Sequence, residues 1–486
     1  MADELNLEGP VGFGQRIGST LRVPGRGTRR AVVILLVFAL AGATGSAVAL
    51  SAPSLVAGLG LGDGKGAAAA LPAPVRVLGP LPADAPLPTA AGLTATLGPL
   101  AGAAAVGTLA AVVLDPANGA TLWQQSPDKA LVPGSVAKLV TAAAALLTLD
   151  STSRLYTRVV AGPAPDSVVL VGGGDPTLTA LPAGRDSVYP QPSRLDDLVT
   201  AVRTALPGQK IRKVFIDTSR YTGPVLAEGW LPADVPGGYV APIVPLMLDG
   251  GRADATLQDG PRVNRPAFAA GQAFAVKLGA DPSAVSEAVA APNARVLGSV
   301  ASAPVADLVE HMLRTSDNVL AEALAREVAI DRGGEASFTG AAGQVAAALA
   351  QAGFDPAGAT LVDGSGLSTA DRVPPKLVGA LLSAAAAPAQ GPRDTQFLRP
   401  LLTGLPVAGG DGTLDDRFED PRSTDGRGVV RAKTGTLTAV SSLAGVVTDA
   451  DGRLLVFALI SNGESPASVR PQLDAIAAAL SRCGCR

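Results

Sequence analysis

Two strand–turn–strand patterns lie at opposite ends of this sequence of 486 residues. In the first, apolar runs at 110–115 and 120–123 flank a Pro-Ala-Asn-Gly turn, and in the second, runs at 442–448 and 453–461 flank a turn at 449–452. Apolar runs around turn residues predict β-hairpins. The sequence between them is rich in helical patterns, and 467–482 predicts a final helix. We therefore expect an α+β fold whose antiparallel sheet is assembled from both ends of the chain and flanked by helices.

The segment 180–295 has a different character from the sequence on either side of it. It contains short strand patterns such as 213–217, several Gly-Gly and Pro turns, and few long helical patterns. We interpret it as an inserted, mainly-β subdomain. The main domain is then formed by 93–179 together with 296–486.

The N-terminal region indicates the compartment. Several arginines precede residue 31, and 31–52 carries no charged side chain. At about 1.5 Å per residue such a helix can cross a hydrocarbon core of roughly 30 Å, and arginines before it favour the cytoplasmic side. We predict a cytoplasmic segment at 1–30, a membrane anchor or a cleaved signal at 31–52, and an Ala/Pro/Gly-rich spacer at 53–92. The body of the chain would lie outside the cytoplasm.

Composition excludes several classes of function. The net charge of −3 gives no reason to expect a nucleic-acid partner, and a single histidine cannot form a multi-histidine metal site, so we expect neither metal nor cofactor. That residue, His311, falls on the polar face of an amphipathic pattern and is predicted to be solvated. The spacing of Cys483 and Cys485 argues against a mutual disulfide. A serine nucleophile in this chain would need a base other than histidine.

Lysine three positions after serine can supply that base, because this spacing places both side chains on one face of a helical turn. Two such pairs occur. Ser126 and Lys129 are followed closely by Pro133, which leaves no room for a useful helix. Ser135 and Lys138 instead open an apolar, alanine-rich run of high helix propensity. Taken alone, the second pair could also be an ordinary helix cap beside a solvated lysine.

A second element is the triplet Ser316, Asp317 and Asn318. Apolar side chains recur upstream at i, i+3, i+4, i+7 and i+8 from Val305, which predicts an amphipathic helix. Helical pattern resumes at 320–328, so the triplet lies on the connection between two helices. On its own it would be a plain helix cap.

The third element is Lys433, Thr434, Gly435 and Thr436, which follows an apolar stretch and precedes the C-terminal hairpin. This context predicts a strand. Gly435 would leave the strand surface bare, so that a substrate backbone could lie alongside it. Alone, the lysine would be an edge-strand charge that discourages aggregation.

The three elements together resemble the penicillin-recognising serine acyl-enzymes, whose fold is a β-lactamase/transpeptidase-like antiparallel sheet flanked by helices. Further stretches resemble the D-Ala-D-Ala carboxypeptidase/endopeptidase family, the class C low-molecular-mass penicillin-binding proteins. They lie at 172–178, 363–368, 410–414 and 431–437. The resemblance covers about 93–486.

The resemblance implies an acyl-enzyme at Ser135. Lys138 would be the base, which requires its pKa to fall by about three units from near 10.4, through burial, the helix dipole and the neighbouring Lys433. The backbone N–H groups of Ser135 and Thr436 would form the oxyanion hole.

The same resemblance assigns the remaining residues. Ser316 would relay a proton to the leaving amine, and Asn318 would bind the substrate amide. Lys433, Thr434 and Thr436 would hold the terminal carboxylate. The implied substrates are peptidoglycan stem peptides, with β-lactam antibiotics as inhibitors.

Alternative functions remain open at this point. The sequence does not decide between carboxypeptidase and endopeptidase action. A β-lactamase would need fast deacylation, for which spacing identifies no dedicated carboxylate. The other alternative is a penicillin-binding scaffold without catalytic activity. Such a protein would not need to retain all three elements, which are complete here.

Overall fold

The protein is described by a computed structural model over residues 84–389 and 395–486. The segments predicted at 1–30 and 31–52, and most of the spacer at 53–92, lie outside these residues. Within the two described ranges, no helix is both long and apolar enough to cross a membrane. The first helix begins at Ala90, inside the predicted spacer, where Thr89 caps it by accepting a hydrogen bond from the Gly92 N–H.

The described strands form two sheets. In chain order the strands are β1 (Thr108–Asp115), β2 (Ala120–Gln125), β3 (Tyr156–Ala161), β4 (Ser167–Val171), β5 (Lys213–Asp217), β6 (Ser286–Glu287), β7 (Val296–Ala301), β8 (Arg431–Leu437), β9 (Val440–Thr448) and β10 (Leu454–Asn462).

Eight of the ten described α-helices lie between β2 and β8. In order they are α1 (Ala90–Ala101), α2 (Ala137–Thr148), α3 (Leu195–Ala205), α4 (Pro266–Leu278), α5 (Val305–Thr315), α6 (Asn318–Asp331), α7 (Phe338–Gln351), α8 (Pro375–Ala386), α9 (Pro400–Thr403) and α10 (Pro466–Ser481).

The main sheet joins the two ends of the chain, as the hairpin patterns predicted. Its strand order is β2-β1-β10-β9-β8, and all neighbours are antiparallel. Val113 of β1 pairs with Phe457 of β10, and both side chains face a core that also contains α1 and α10. Val112 and Ala458 pair one position along and face the opposite core, which contains α2 and α6. The sheet is therefore covered by helices on both faces, and the predicted α+β class is confirmed.

A second sheet, with strand order β6-β5-β4-β3-β7, lies in the region of the predicted insertion. Its strands run from Tyr156 to Ala301, so the sheet extends beyond both ends of 180–295. The helices α3 and α4 pack on it around Leu198 and Phe274. The description of this segment as mainly β needs correction, because strongly amphipathic sequence at 195–205 forms a helix that covers the sheet.

The C-terminal cysteines also differ from the prediction, because Cys483 and Cys485 form a disulfide. The chain bends at Gly484 and brings their Cα atoms to 4.9 Å, within the usual range for disulfides. The Cys485 carbonyl accepts a hydrogen bond of 2.8 Å from the Thr89 N–H. This tail therefore fastens the start of α1.

The close pairing of β8 and β9 predicts a stability change. A Cβ at Gly445 of β9 would collide with the Arg431 carbonyl and Ala432 of β8. We expect Gly445→Ala to lower the free energy of unfolding by about 1–3 kcal/mol, measured by urea denaturation. Gly343 in α7 has no atom within 4 Å of an added Cβ, so Gly343→Ala should be neutral or stabilise by up to about 1 kcal/mol. Equal effects of the two substitutions would contradict this packing.

Candidate active site

Ser135 lies in a short 3-10 turn, Gly134–Val136, directly before the buried helix α2. The sequence predicted the first α-helical turn, so the turn type differs while the position at the start of the helix agrees. Gly134 has a φ of 53°, a conformation that suits glycine. A Cβ at Gly134 would lie 3.1 Å from the backbone nitrogen of Thr436. The turn that carries Ser135 therefore fits closely against β8.

The Lys138 side chain is fully buried, and its amine contacts three acceptors. The Nζ atom donates to Ser135 Oγ at 3.0 Å, to Asn318 Oδ1 at 2.5 Å and to the Ser365 carbonyl at 2.7 Å. An ammonium has three N–H donors, so every donor has a partner. These bonds offset part of the cost of removing the amine from water.

Burial lowers the pKa of Lys138 from 10.5 to about 8, although the carboxylates of Asp363 and Glu322 oppose the shift. Burial thus acts as predicted, but the surrounding acids, absent from the prediction, limit the shift. Glu322 is itself affected: burial and Asp363 raise its pKa to about 7. At a pKa of about 8, roughly one Lys138 amine in ten is neutral at pH 7.

Ser316 and Asp317 form the connection between α5 and α6, as predicted. Ser316 has a φ of 61°, a left-handed conformation uncommon outside glycine. Its Oγ accepts a hydrogen bond of 2.8 Å from Lys433 Nζ. Asp317 caps α6, because its Oδ1 accepts a hydrogen bond of 2.9 Å from the Leu320 N–H.

Lys433 lies on β8, the edge strand of the main sheet, and its side chain is fully buried. Besides Ser316, its Nζ donates to the Thr434 carbonyl at 2.8 Å. Burial, reinforced by the nearby Lys138, holds the pKa of Lys433 well below its usual value. Two amines, each bonded to a serine hydroxyl, therefore lie on neighbouring walls of one site.

The other residues of the 433–436 segment make contacts that the sequence did not predict. Thr434 Oγ1 donates to Thr413 Oγ1 at 2.8 Å, and Thr436 Oγ1 accepts from Arg470 Nη2 at 3.0 Å. A Cβ at Gly435 would collide with the Pro133 carbonyl and Ser442 Oγ. The glycine is needed so that the Ser135 turn can approach the strand, which is a different reason from the predicted access for substrate.

Asn318 is engaged at both ends of its amide. Besides the bond from Lys138 to Oδ1, its Nδ2 donates to the Tyr239 carbonyl at 2.9 Å. In this structure the side chain connects the buried amine to the segment that includes Tyr239. The predicted contact with a substrate amide would have to replace or share the bond to Tyr239.

The loop at 363–368 is a part of the site whose role the sequence analysis missed. Asp363 accepts hydrogen bonds from the backbone N–H groups of Ser365, Gly366 and Ser368 at 3.0, 2.6 and 2.7 Å. These bonds fix the Ser365 carbonyl, which contacts Lys138. The signal was available, since an aspartate followed by Ser and Gly is typical of a side-chain-capped turn.

His311 was wrongly predicted to be solvated. Its ring is largely buried against Tyr189, with ring centroids 5.3 Å apart, and burial lowers its pKa. Tyr189 belongs to a distant segment that covers this side of α5, which the helical pattern alone could not reveal. No contact joins His311 to Ser135 within 84–389 and 395–486, which agrees with the absence of a catalytic assignment.

The chain is similar to peptidases in its sequence. A family model described as the D-Ala-D-Ala carboxypeptidase 3 (S13) family matches residues 99–261 and 255–483. A protein named carboxypeptidase Rv3627c, from Mycobacterium tuberculosis, is 46% identical over 84% of this chain and 87% of its own length. Carboxypeptidase DacB of Mycolicibacterium smegmatis is 43% identical over 84% of this chain and 87% of its own.

The fold is also similar to that of a solved protein. The crystal structure of penicillin binding protein 4 from Haemophilus influenzae matches with a TM-score of 0.61 at 20% identity. The match covers 79% of this chain and 97% of that protein. At this identity the likeness concerns the fold alone.

The burial of Lys138 predicts a pH dependence of stability. The unfolded chain binds more protons than the folded chain between the folded pKa of about 8 and the unfolded value of 10.5. Wild type should therefore gain roughly 3 kcal/mol of unfolding free energy from Lys138 as the pH rises through that window. Lys138→Met should lose this contribution and show a smaller rise than wild type when urea denaturation is followed from pH 7 to 10.5, because buried Lys433 still contributes its own rise.

A substitution at an exposed lysine provides the control. Lys376 makes a surface ion pair with Asp128, so Lys376→Met should keep the wild-type rise. A rise in Lys138→Met that is as large as in wild type would show that Lys138 does not contribute.

Proposed function

Since the chain belongs to the D-Ala-D-Ala carboxypeptidase 3 (S13) family and is a serine-type carboxypeptidase, we propose that Ser135 is its nucleophile. The observation that carries this proposal is the hydrogen bond of 3.0 Å between Lys138 Nζ and Ser135 Oγ. A neutral Lys138 amine accepts the Ser135 proton while Oγ attacks the carbonyl carbon between two D-alanines. The depressed pKa of Lys138 makes the neutral form accessible near neutral pH.

The developing oxyanion is stabilised by the backbone N–H groups of Ser135 and Thr436. A Cβ at Gly134 would lie 3.1 Å from Thr436 N, and one at Gly435 would lie 3.2 Å from Ser135 N. The Ser135 turn and the strand that carries Thr436 thus lie in close contact. This closeness supports the proposal that one substrate carbonyl oxygen accepts from both N–H groups.

Collapse of the tetrahedral intermediate breaks the peptide C–N bond, and the leaving amine needs a proton. Ser316 is suited to deliver that proton, because its hydroxyl is bonded to Lys433 Nζ at 2.8 Å. Lys433 can then return a proton to Ser316. Transfer of the proton that Lys138 accepted from Ser135 to Lys433, which has given one up, returns both amines to their starting states. Water then attacks the ester at Ser135 while neutral Lys138 accepts a proton from it, and this proton returns to Ser135 Oγ as the ester C–O bond breaks.

The terminal carboxylate of the substrate is bound by Lys433 and by the hydroxyls of Thr434 and Thr436. An anion next to Lys433 raises the pKa of its amine, so binding of the carboxylate favours the charged form. Arg470, which bonds Thr436 Oγ1 at 3.0 Å, adds a positive charge beside the same hydroxyl. Asn318 Nδ2 donates a hydrogen bond to the substrate peptide and shares this amide group with the Tyr239 carbonyl.

Membership of this cell-wall enzyme family means that the chain acts outside the cytoplasm. We propose that 31–52 directs it there, as a membrane anchor or as a signal. We propose that its substrates are stem peptides of peptidoglycan, from which it removes the terminal D-alanine; hydrolysis of the cross-links between stem peptides is the alternative. β-Lactams, which resemble the terminal dipeptide in reactivity, would acylate Ser135.

Replacement of the nucleophile tests the proposal directly. Ser135→Ala should abolish both the release of D-alanine from a peptide ending in D-Ala-D-Ala and the covalent adduct with penicillin, measured by intact-protein mass. Ser126, the other serine with lysine three positions later, makes only a backbone contact with Lys129. Ser126→Ala should keep wild-type rates. An adduct formed by Ser135→Ala would exclude Ser135 as the nucleophile.

The role of Lys138 predicts the pH profile of acylation. Because the neutral amine is the active form, the rate should rise with pH and level off near the pKa of about 8. Lys138→Arg keeps a cation that cannot be deprotonated, so acylation should fall by at least about 10²-fold at every pH. Stopped-flow acylation with a chromogenic β-lactam measures both. A flat profile, or an active Lys138→Arg protein, would exclude this base.

A further inference from the structure

Two connections of the second sheet, 172–194 between β4 and α3 and 218–265 between β5 and α4, contact the catalytic motifs through buried polar groups. We infer that Tyr189 and Arg252, from the predicted insertion, are positioning residues that hold the 316–318 turn in its reactive geometry. This inference rests on the proposed function, since it concerns the acylation of Ser135. The insertion would then position groups of the active site, in addition to any contact that it makes with substrate.

Asp317, between the two functional residues of the turn, is the point of attachment. Its Oδ2 accepts hydrogen bonds from Tyr189 Oη at 2.8 Å and from Arg252 Nη2 at 3.1 Å. Arg252 Nη1 also donates to Tyr189 Oη at 2.9 Å, which closes a three-membered network. The side chains of Arg252 and Asp317 are entirely buried. A buried ion pair is stable only when further hydrogen bonds satisfy the remaining polar atoms of both side chains.

The charge of Asp317 is consistent with this network. Burial alone would raise the pKa of its carboxyl, but Arg252 and Arg262 outweigh burial and hold the pKa well below its usual value. The carboxylate therefore stays ionised, and the network keeps its full strength at neutral pH.

The turn needs such support because of its backbone conformation. Ser316 has a φ of 61°, and serine has no intrinsic preference for the left-handed region. A residue in that region is retained only when its surroundings fix it. Asp317 follows Ser316 directly, so the network at Asp317 is suited to prevent Ser316 from relaxing.

The residues on either side of Asp317 are hydrogen-bonded to the two amines of the site. Ser316 Oγ accepts from Lys433 at 2.8 Å, and Asn318 Oδ1 accepts from Lys138 at 2.5 Å. A shift of the turn would lengthen both bonds. Misplacement of reacting groups by about 1 Å can lower a rate by roughly 10²-fold.

Two other contacts, both from the 218–265 connection between β5 and α4, reach the site. The Tyr239 carbonyl accepts from Asn318 Nδ2 at 2.9 Å. Trp230 Nε1 donates at 2.7 Å to Asp363, whose loop presents the Ser365 carbonyl to Lys138. The insertion thus supports the Ser316 side and the Lys138 side of the pocket together.

The chain contains a matched control for this network. Tyr221 is partly buried, and its Oη donates to Glu327 Oε1 at 3.0 Å, while Arg220 Nε donates to the same oxygen at 2.9 Å. Tyrosine, carboxylate and arginine are therefore combined as they are at Asp317. Glu327, however, lies about two and a half helical turns beyond Asn318 on α6, away from the motif.

The experiment compares Tyr189→Phe with Tyr221→Phe in the whole protein. For each variant, the maximal rate constant of acylation by a chromogenic β-lactam and its half-saturating concentration are measured, together with the thermal midpoint. We expect Tyr189→Phe to lower the rate constant by on the order of tenfold with little change in half-saturation. Tyr221→Phe should stay within about twofold of wild type, although both variants should lose a similar amount of thermal stability.

A second pair covers the case in which Tyr189→Phe fails to fold. Arg252→Lys keeps the charge, but its three donors on one nitrogen cannot replace the guanidinium contacts with Tyr189, Asp317 and the carbonyls of Asp249 and Gln258. It should therefore slow acylation, whereas Arg220→Lys should not. Equal acylation rates within each pair would overturn this inference while wild-type acylation upheld the proposed function. A wild-type protein that formed no adduct would overturn the proposed function and this inference with it.

Discussion

The buried amine of Lys138 is the interaction on which the rest of the site depends. An ammonium cannot be removed from water at acceptable cost unless acceptors replace its hydration. Here the acceptors come from three separate parts of the chain: the turn before α2, the start of α6 and the 363–368 loop. Satisfying one amine therefore brings together the segments that form the pocket, and the same burial lowers the pKa that the chemistry requires.

The two sheets contribute in different ways. The main sheet, closed by strands from both ends of the chain, offers its edge strand β8 as one wall and brings Lys433 to Ser316. The second sheet lies in the region of the insertion, and two connections that leave it supply Tyr189, Trp230 and Arg252 to the site. In this account, the inserted segment stabilises the geometry of the 316–318 turn.

Local pattern predicted much of the site, because its key residues are recognisable from short spacings. The Ser135 and Lys138 pair follows from the spacing of serine and lysine, and the turn at Ser316 and the strand at Lys433 follow from the patterns on either side of them. The supporting contacts depend on long-range packing instead. Tyr189 and Arg252 are 128 and 65 positions from Asp317 in the sequence. The close approach of Pro133 to Gly435 likewise cannot be predicted from the residues around Gly435. The burial of His311 under Tyr189 was missed for the same reason.

The most direct test of this account is the ionisation of Lys138 itself. An NMR titration of the lysine side-chain nitrogens in isotopically labelled protein, with the Lys138 signal assigned by its loss in a Lys138→Met variant, reports the pKa of this amine without reference to activity. The account predicts a midpoint near 8, set by burial against the surrounding carboxylates. A midpoint near the unperturbed value of 10.5 would contradict it, because an amine that stays charged at neutral pH could not take the Ser135 proton.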